Sequence, residues 1–143
     1  MNQPVQHVEN NSLGTVQLRI PSKAEWVAVA RLAVAAVANR LNFSIEDIED
    51  VKLAVAEACT NCIQHAQGTD QIEITCETAV EGLTVRVRDY GQNTRADSIQ
   101  SRRVDDPRVG GLGVFLIRSL MDHVEYDVSD GGTNLVMAKK VAS

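Results

Sequence analysis

An α+β two-layer sandwich, with a mixed and mostly antiparallel sheet carrying its helices on one face, is the fold class the sequence predicts. Three observations predict it. Segments such as "TVQLRI", "QIEITCE" and "LTVRVRD" alternate apolar and polar side chains, as half-buried strands do. Two long stretches, Ala24 to Leu41 and Ile45 to Ala66, carry the Ala/Val-rich composition or the apolar stripe of packed helices. The order of these pieces is strand, two helices, two strands, loop, helix, two strands, which lacks the strand–helix alternation of a parallel sheet.

Each element has its own signal. "MNQPVQHVENNS" is polar and aperiodic, so residues 1–13 read as a flexible tail and 14–143 as a single domain. "TVQLRI" is the first strand, stopped by Pro21. Ser22 with Glu25 three residues on forms a capping-box signature for the first helix. Ser44 with Asp47 repeats it in acidic form for the second, whose apolar stripe is Ile48, Val51, Val55, Ala58 and Cys62 and which Gly68 closes. "QIEITCE" and "LTVRVRD", joined by "TAVEG", make a hairpin. From Tyr90 to Val109 the chain is polar, charged and aperiodic, a long loop of the kind that is usually functional or disordered. "GGLG" leads into the amphipathic "VFLIRSLMD", and "HVEYDVS" and "TNLVMAKK" close the chain as a second hairpin.

Composition narrows the function. The 143 residues suffice to bury about two-thirds of the unfolded surface. With 3% aromatic residues and a net charge of −5, the chain lacks both stacking platforms and attraction for a phosphate backbone, so no direct nucleic-acid partner is expected. The longest apolar run, "WVAVARLAVAAVA", is interrupted by Arg31 and is shorter than the roughly 20 residues that span a bilayer, so no membrane partner is expected either. Three cysteines, Cys59, Cys62 and Cys76, with no secretory signal pattern, fit a cytoplasmic protein. Cys59 and Cys62 form a C-x-x-C in mid-helix, away from the helix N-terminus that lowers a thiol pKa, and read as small core residues.

Chemistry-bearing residues fall in three places. In "AEACTNCIQHA", Glu57, Asn61 and His65 stand four apart and share one stripe of a helix otherwise built for burial. Burying an unpaired polar group costs about 1 to 3 kcal/mol, so Glu57 and Asn61 face either a wet cleft or a solvent-exposed helix edge. "VRDYGQN" ends a strand with Asp89, a rigidly supported acceptor for a ligand amino group, followed by Gly91, which lets backbone approach a ligand; a plain turn has the same pattern. "VGGLGVFLI" sets Gly110, Gly111 and Gly113 at a helix start, where free N–H groups favour an anion such as phosphate, or where glycines simply form a loop. It is neither a Walker A loop nor a dinucleotide fingerprint.

Together these elements closely resemble the ATP-binding (Bergerat) fold of the GHKL superfamily, and within it the anti-sigma factor serine/threonine kinases of bacterial partner switching. "EACTNCIQHA" resembles the N-box, "DYGQN" the first glycine box, "GGLGVFLIRSLMDHVEY" the second, and "GGTNLVMAKK" the closing strands, a likeness running from about Ile20 to Val141. The resemblance implies that Asn61 coordinates Mg²⁺ bridging the phosphates of ATP, that Glu57 is the catalytic base toward the attacking hydroxyl, and that Asp89 accepts from the adenine amino group. It implies that Gly91 passes close to the base, that Gly110, Gly111 and Gly113 wrap the phosphates, and that Thr133 supplies a hydroxyl to the adenine pocket. His65 matches a position often held by His, with an orienting or structural role, and Asn93 departs from the glycine many members carry. The loop from Gln92 to Val109 corresponds to an ATP lid, whose Arg102, Arg103 and Arg108 could reach the γ-phosphate or form a solvated charge run. The partners implied are an anti-sigma factor antagonist as phosphorylation substrate, a sigma factor held in sequestration, and a second copy in a homodimer. The competing expectation is an ATP-binding partner-switching module that holds a sigma factor or another regulator without phosphorylating anything; keeping both Glu57 and Asn61 argues against it. A histidine kinase catalytic domain is a third reading, disfavoured because histidine needs no hydroxyl-activating base.

Overall fold

The computed structural model describes residues 12–65, 70–90, 111–129 and 132–142. Five strands form one sheet: β1 (Ser12–Pro21), β2 (Gln71–Ala79), β3 (Gly82–Asp89), β4 (His123–Ser129) and β5 (Gly132–Lys140). Their spatial order is β1-β2-β3-β5-β4, and every neighbouring pair is antiparallel. The expected α+β class stands, and the sheet is wholly antiparallel among the described strands. Among the described residues three helices, α1 (Val27–Ala38), α2 (Ile45–His65) and α3 (Gly111–Leu120), join it, with a short 3₁₀ turn at Ala24–Trp26 before α1.

Alternation along the strands decides the layering. Ile72, Ile74 and Cys76 of β2 line up with Val87 and Val85 of β3 and Leu135 and Met137 of β5 on the face that the helices cover. The helices return Ala30 and Val34 from α1, Val51, Val55 and Ala58 from α2, and Ile117 from α3, all but sealed from solvent. So many Ala and Val side chains let the helix axes lie close to the sheet and to each other. The opposite face is polar. There Arg19 Nε donates to Glu73 Oε2 at 3.3 Å, Tyr90 Oη donates to Glu73 Oε1 at 2.7 Å, and the Arg88 guanidinium lies 4.6 Å from the Tyr90 ring centroid. The Tyr90 hydroxyl, more than the nearby arginines, holds the Glu73 carboxyl below its usual range. This cluster ties the end of β3, where Asp89 sits, to the two strands beyond it.

Element boundaries differ from expectation in two places. The β1 strand begins at Ser12, inside the stretch read as tail, because Ser12 pairs with Ala79 around an irregularity at Gly14; residues 1–11 lie outside the described residues. The Ser22 capping box does not form. The Ser22 N–H donates to Asp70 O at 2.9 Å, the preceding residue of the 3₁₀ turn makes no side-chain cap, and α1 starts only at Val27. By contrast the second start signal is realised, with the Asp47 N–H donating to Ser44 Oγ at 3.0 Å. Gly68 and, beyond Tyr90, the stretch to Val109 read from the sequence as a long loop lie outside the described residues.

Candidate functional site

The α2 helix crosses the sheet and packs against both neighbouring helices. Its 3.6-residue period sends one stripe into the core, and the next stripe holds Glu57 and, one turn later, Asn61. Glu57 is half-buried, while Asn61 retains only 9% of its surface. The Asn61 Nδ2 is sealed from solvent and has no hydrogen-bond partner among the described residues. An unpaired buried amide is destabilising, by about 1 to 3 kcal/mol, and such groups persist where a ligand completes them.

The neighbour of that amide is the start of α3. A Cβ placed on Gly113 would lie 3.0 Å from Asn61 Oδ1 and 3.1 Å from Nδ2, so a bare backbone is what lets the third helix close over the carboxamide. Gly111 is the first residue of that helix, and the first turn of any helix has N–H groups with no internal acceptor.

Asp89 closes β3 with no exposed surface at all. A fully buried carboxylate needs partners, and it has one across the strand pair: Thr133 Oγ1, on β5, donates a short hydrogen bond to Asp89 Oδ2. Thr133 is itself buried and stands 3.9 Å from Cys62 Sγ, the residue that follows Asn61 on α2. Gly132, just before Thr133, has φ of +120°, and a Cβ there would lie 2.1 Å from the Asp89 carbonyl oxygen. Only glycine fits so close an approach.

The structure therefore gathers Asn61, Gly113, Asp89 and Thr133 from four elements into one connected cluster, with Glu57 a turn away on the same helix. His65 ends α2; Gly91, Gly110, Asn93, Arg102, Arg103 and Arg108 lie outside the described residues. Two members of the cluster escape a reading of the sequence. Cys62 continues an apolar stripe and looks like core, and Gly132 belongs to a glycine pair that looks like any hairpin turn. Among the described residues a concavity of about 490 Å³ lies elsewhere, at the end of the sheet where β2 turns into β3, near Ser12, Glu81 and Thr84. It lacks convergent buried polar groups and is not the candidate site. Also among the described residues, no group of three or more His, Cys, Asp or Glu could hold a metal ion, so any cation here would depend on Asn61 and on oxygens brought by a ligand. No helix among them is long and apolar enough to cross a membrane.

Comparison with known proteins shows the family. A family described as the histidine kinase-like ATPase domain matches residues 20–139. The serine-protein kinase RsbW of Halalkalibacterium halodurans is 40% identical over 136 residues, covering 87% of this chain and 82% of the relative. Its namesake from Listeria monocytogenes serotype 4a is 42% identical over 137 residues, covering 88% and 87%. Among solved structures, one of the RsbU and RsbW domains of a Mycobacterium tuberculosis protein overlays 88% of this chain and 32% of that chain with a TM-score of 0.68 at 16% identity. The histidine kinase domain of a blue-light activated histidine kinase from Erythrobacter litoralis overlays 85% of this chain and 62% of its own with a TM-score of 0.53 at 19% identity. The two overlays speak for the fold alone.

Proposed function

The chain belongs to the family of histidine kinase-like ATPase domains, and from that premise we propose that it is an ATP-dependent serine/threonine protein kinase and anti-sigma factor, which phosphorylates an anti-sigma factor antagonist and sequesters a sigma factor. The observation that carries the reading is the buried, unpartnered Asn61 amide, packed under Gly113, with the Glu57 carboxylate one helical turn away. A module that only held nucleotide would have no use for Glu57 at that place.

In this reading Asp89, braced by Thr133, accepts a hydrogen bond from the adenine amino group, and Gly91 passes beside the base. Gly110, Gly111 and Gly113 bring backbone N–H groups to the phosphate oxygens. Asn61 fits a magnesium site because a half-turn of its carboxamide exchanges Oδ1 and Nδ2, so one end can face the cation while the other donates to phosphate. Magnesium, when bound there, would neutralise the charge that builds on the phosphate oxygens. Glu57 takes the proton from the attacking serine or threonine hydroxyl as its oxygen bonds to the γ-phosphorus and the bond to the β-phosphate oxygen breaks, leaving ADP and a phosphoprotein. The working form is a homodimer in the cytoplasm, with the antagonist and the sigma factor as its protein partners.

The test is transfer of label from γ-labelled ATP, with Mg²⁺, to a serine or threonine of the cognate antagonist. Glu57→Gln is expected to keep nucleotide binding and to slow transfer by about 10²- to 10⁴-fold. Asn61→Ala is expected to lose Mg²⁺-dependent binding. Normal phosphorylation by both variants would remove the roles assigned to them.

A further inference from the structure

The cluster at the end of β3 holds one group to which the proposed reaction gives no task. Cys62 is 5% exposed, and its sulfur lies 3.9 Å from Thr133 Oγ1, within the reach of a weak sulfur hydrogen bond. The direction of that bond follows from its neighbour. A threonine hydroxyl has a single hydrogen, and the short bond to Asp89 Oδ2 engages it. The thiol is left as a donor, with Thr133 Oγ1 within reach as its acceptor beside the Asp89 side chain, its other hydrogen-bond partner in the cluster. Cys59, three residues earlier on the same helix, is also buried and serves as the comparison.

We propose that Cys62 is a positioning residue for nucleobase recognition: its thiol donates to Thr133 Oγ1, which fixes the Thr133 hydroxyl on Asp89 and so holds that carboxylate at the angle a purine 6-amino group requires. The inference rests on the reading of Asp89 as the acceptor for the base. Its consequence is selective. Removing the thiol frees the Thr133 hydroxyl to rotate, and Asp89 loses alignment toward the amino group, while contacts to ribose, phosphates and the rest of the ring are untouched.

The experiment uses the full chain and two probes, ATP and purine riboside 5′-triphosphate, which lacks the 6-amino group, with dissociation constants measured by calorimetry. Wild type is expected to prefer ATP. Cys62→Ala is expected to weaken ATP by about three- to tenfold, the range that loss of one modest hydrogen bond gives, and to leave the analogue unchanged, so that the preference shrinks. Cys62→Ser, which keeps a donor, should retain the wild-type preference, and Cys59→Ala should retain it as well. If the alanine variant folds poorly, Cys62→Val restores the volume without a donor and should give the same selective loss. Equal weakening of both nucleotides, or a serine variant that behaves like alanine, overturns the proposal by assigning Cys62 to packing. A Cys62→Ala or Cys62→Val variant with undiminished preference overturns it too. Wild-type protein that binds both probes equally removes Asp89 as the acceptor, and protein that binds neither removes the nucleotide site; each ends this inference at the level below it.

Discussion

Two glycines of the site have opposite reasons for being glycine, and the difference can be measured. At Gly132 a methyl group would meet the Asp89 carbonyl oxygen at 2.1 Å and Oδ1 at 2.8 Å, on a backbone with φ of +120°. Neither backbone can yield without breaking the β3–β5 pairing, so Gly132→Ala is expected to destabilise the fold by about 2 to 4 kcal/mol, read as a shift in the urea midpoint. Gly113 sits inside α3, where alanine is the better helix former by up to about 1 kcal/mol. There the three atoms nearest the methyl all belong to the Asn61 amide, the first at 3.0 Å, and a side chain can turn aside. Gly113→Ala should therefore leave stability unchanged or slightly raised while weakening nucleotide binding by about tenfold; a variant that binds as wild type would free Asn61 of its assigned part. The sequence announces these residues unevenly. Glu57 and Asn61 are legible because four-residue spacing forces them onto one stripe, and Asp89 because a carboxylate ends an alternating strand. Thr133 becomes visible only through the family resemblance, since a threonine in a strand looks like any other. Cys62 and Gly132 are invisible for a physical reason, namely that their roles come from contacts across the fold, to Thr133 and Asp89, which no local period encodes.

The two helix starts carry nearly the same sequence signature and meet different fates, which shows where local chemistry yields to tertiary pairing. Ser44 accepts from the Asp47 N–H at 3.0 Å and caps α2. Ser22 has Glu25 at the same spacing, but its own N–H is drawn to Asp70 O at 2.9 Å, extending the pairing that runs from Pro21 and Gln71 at the end of β1. Once the backbone is held there, the helix begins a turn later through the 3₁₀ segment. Substituting each serine by alanine separates the cases. Ser44→Ala should cost about 1 kcal/mol, whereas Ser22→Ala should stay within about 0.5 kcal/mol of wild type, both measured by urea unfolding. The start of α2 is also pinned from the sheet. Lys139 Nζ donates to Leu120 O at 2.7 Å and lies 3.5 Å from Asp50 Oδ2 and 3.8 Å from Asp47 Oδ1. An unsupported helix start would let Asn61 and Glu57 drift relative to Asp89, so capping and this ion cluster serve the site as well as the fold. That the helix would exist was legible from its apolar stripe; that a lysine in the last strand would anchor it was not.

At the scale of the whole molecule, the order of elements and the one-faced sheet were readable because alternation along β2, β3 and β5 must put every buried residue on a single side, and helices are the only layer left to cover it. The same burial predicts how the fold fails in alkali. Burial pushes the Cys59 thiol up to about 12 and the Cys76 thiol up to about 11, from an unfolded value of 9.0. Burial, with the Cys62 and Asp89 groups adding to it, pushes the Tyr126 phenol up to about 12 from 10.0. These groups are neutral when protonated, and the folded core favours that neutral form. Stability linked to them is therefore complete below pH 9 and is lost as pH climbs toward about 12, because over that interval the unfolded chain ionises and the folded one does not. Urea unfolding measured from pH 8 to 11.5 should give a plateau followed by a steep decline. The double variant Cys59→Ala, Cys76→Ala should start from a lower plateau, since each change empties core volume, but should decline less steeply because two of the linked protons are gone. A slope identical in the two proteins would mean that the thiols ionise as readily inside the fold as outside it, and the core would then have to be wetter than its packing allows.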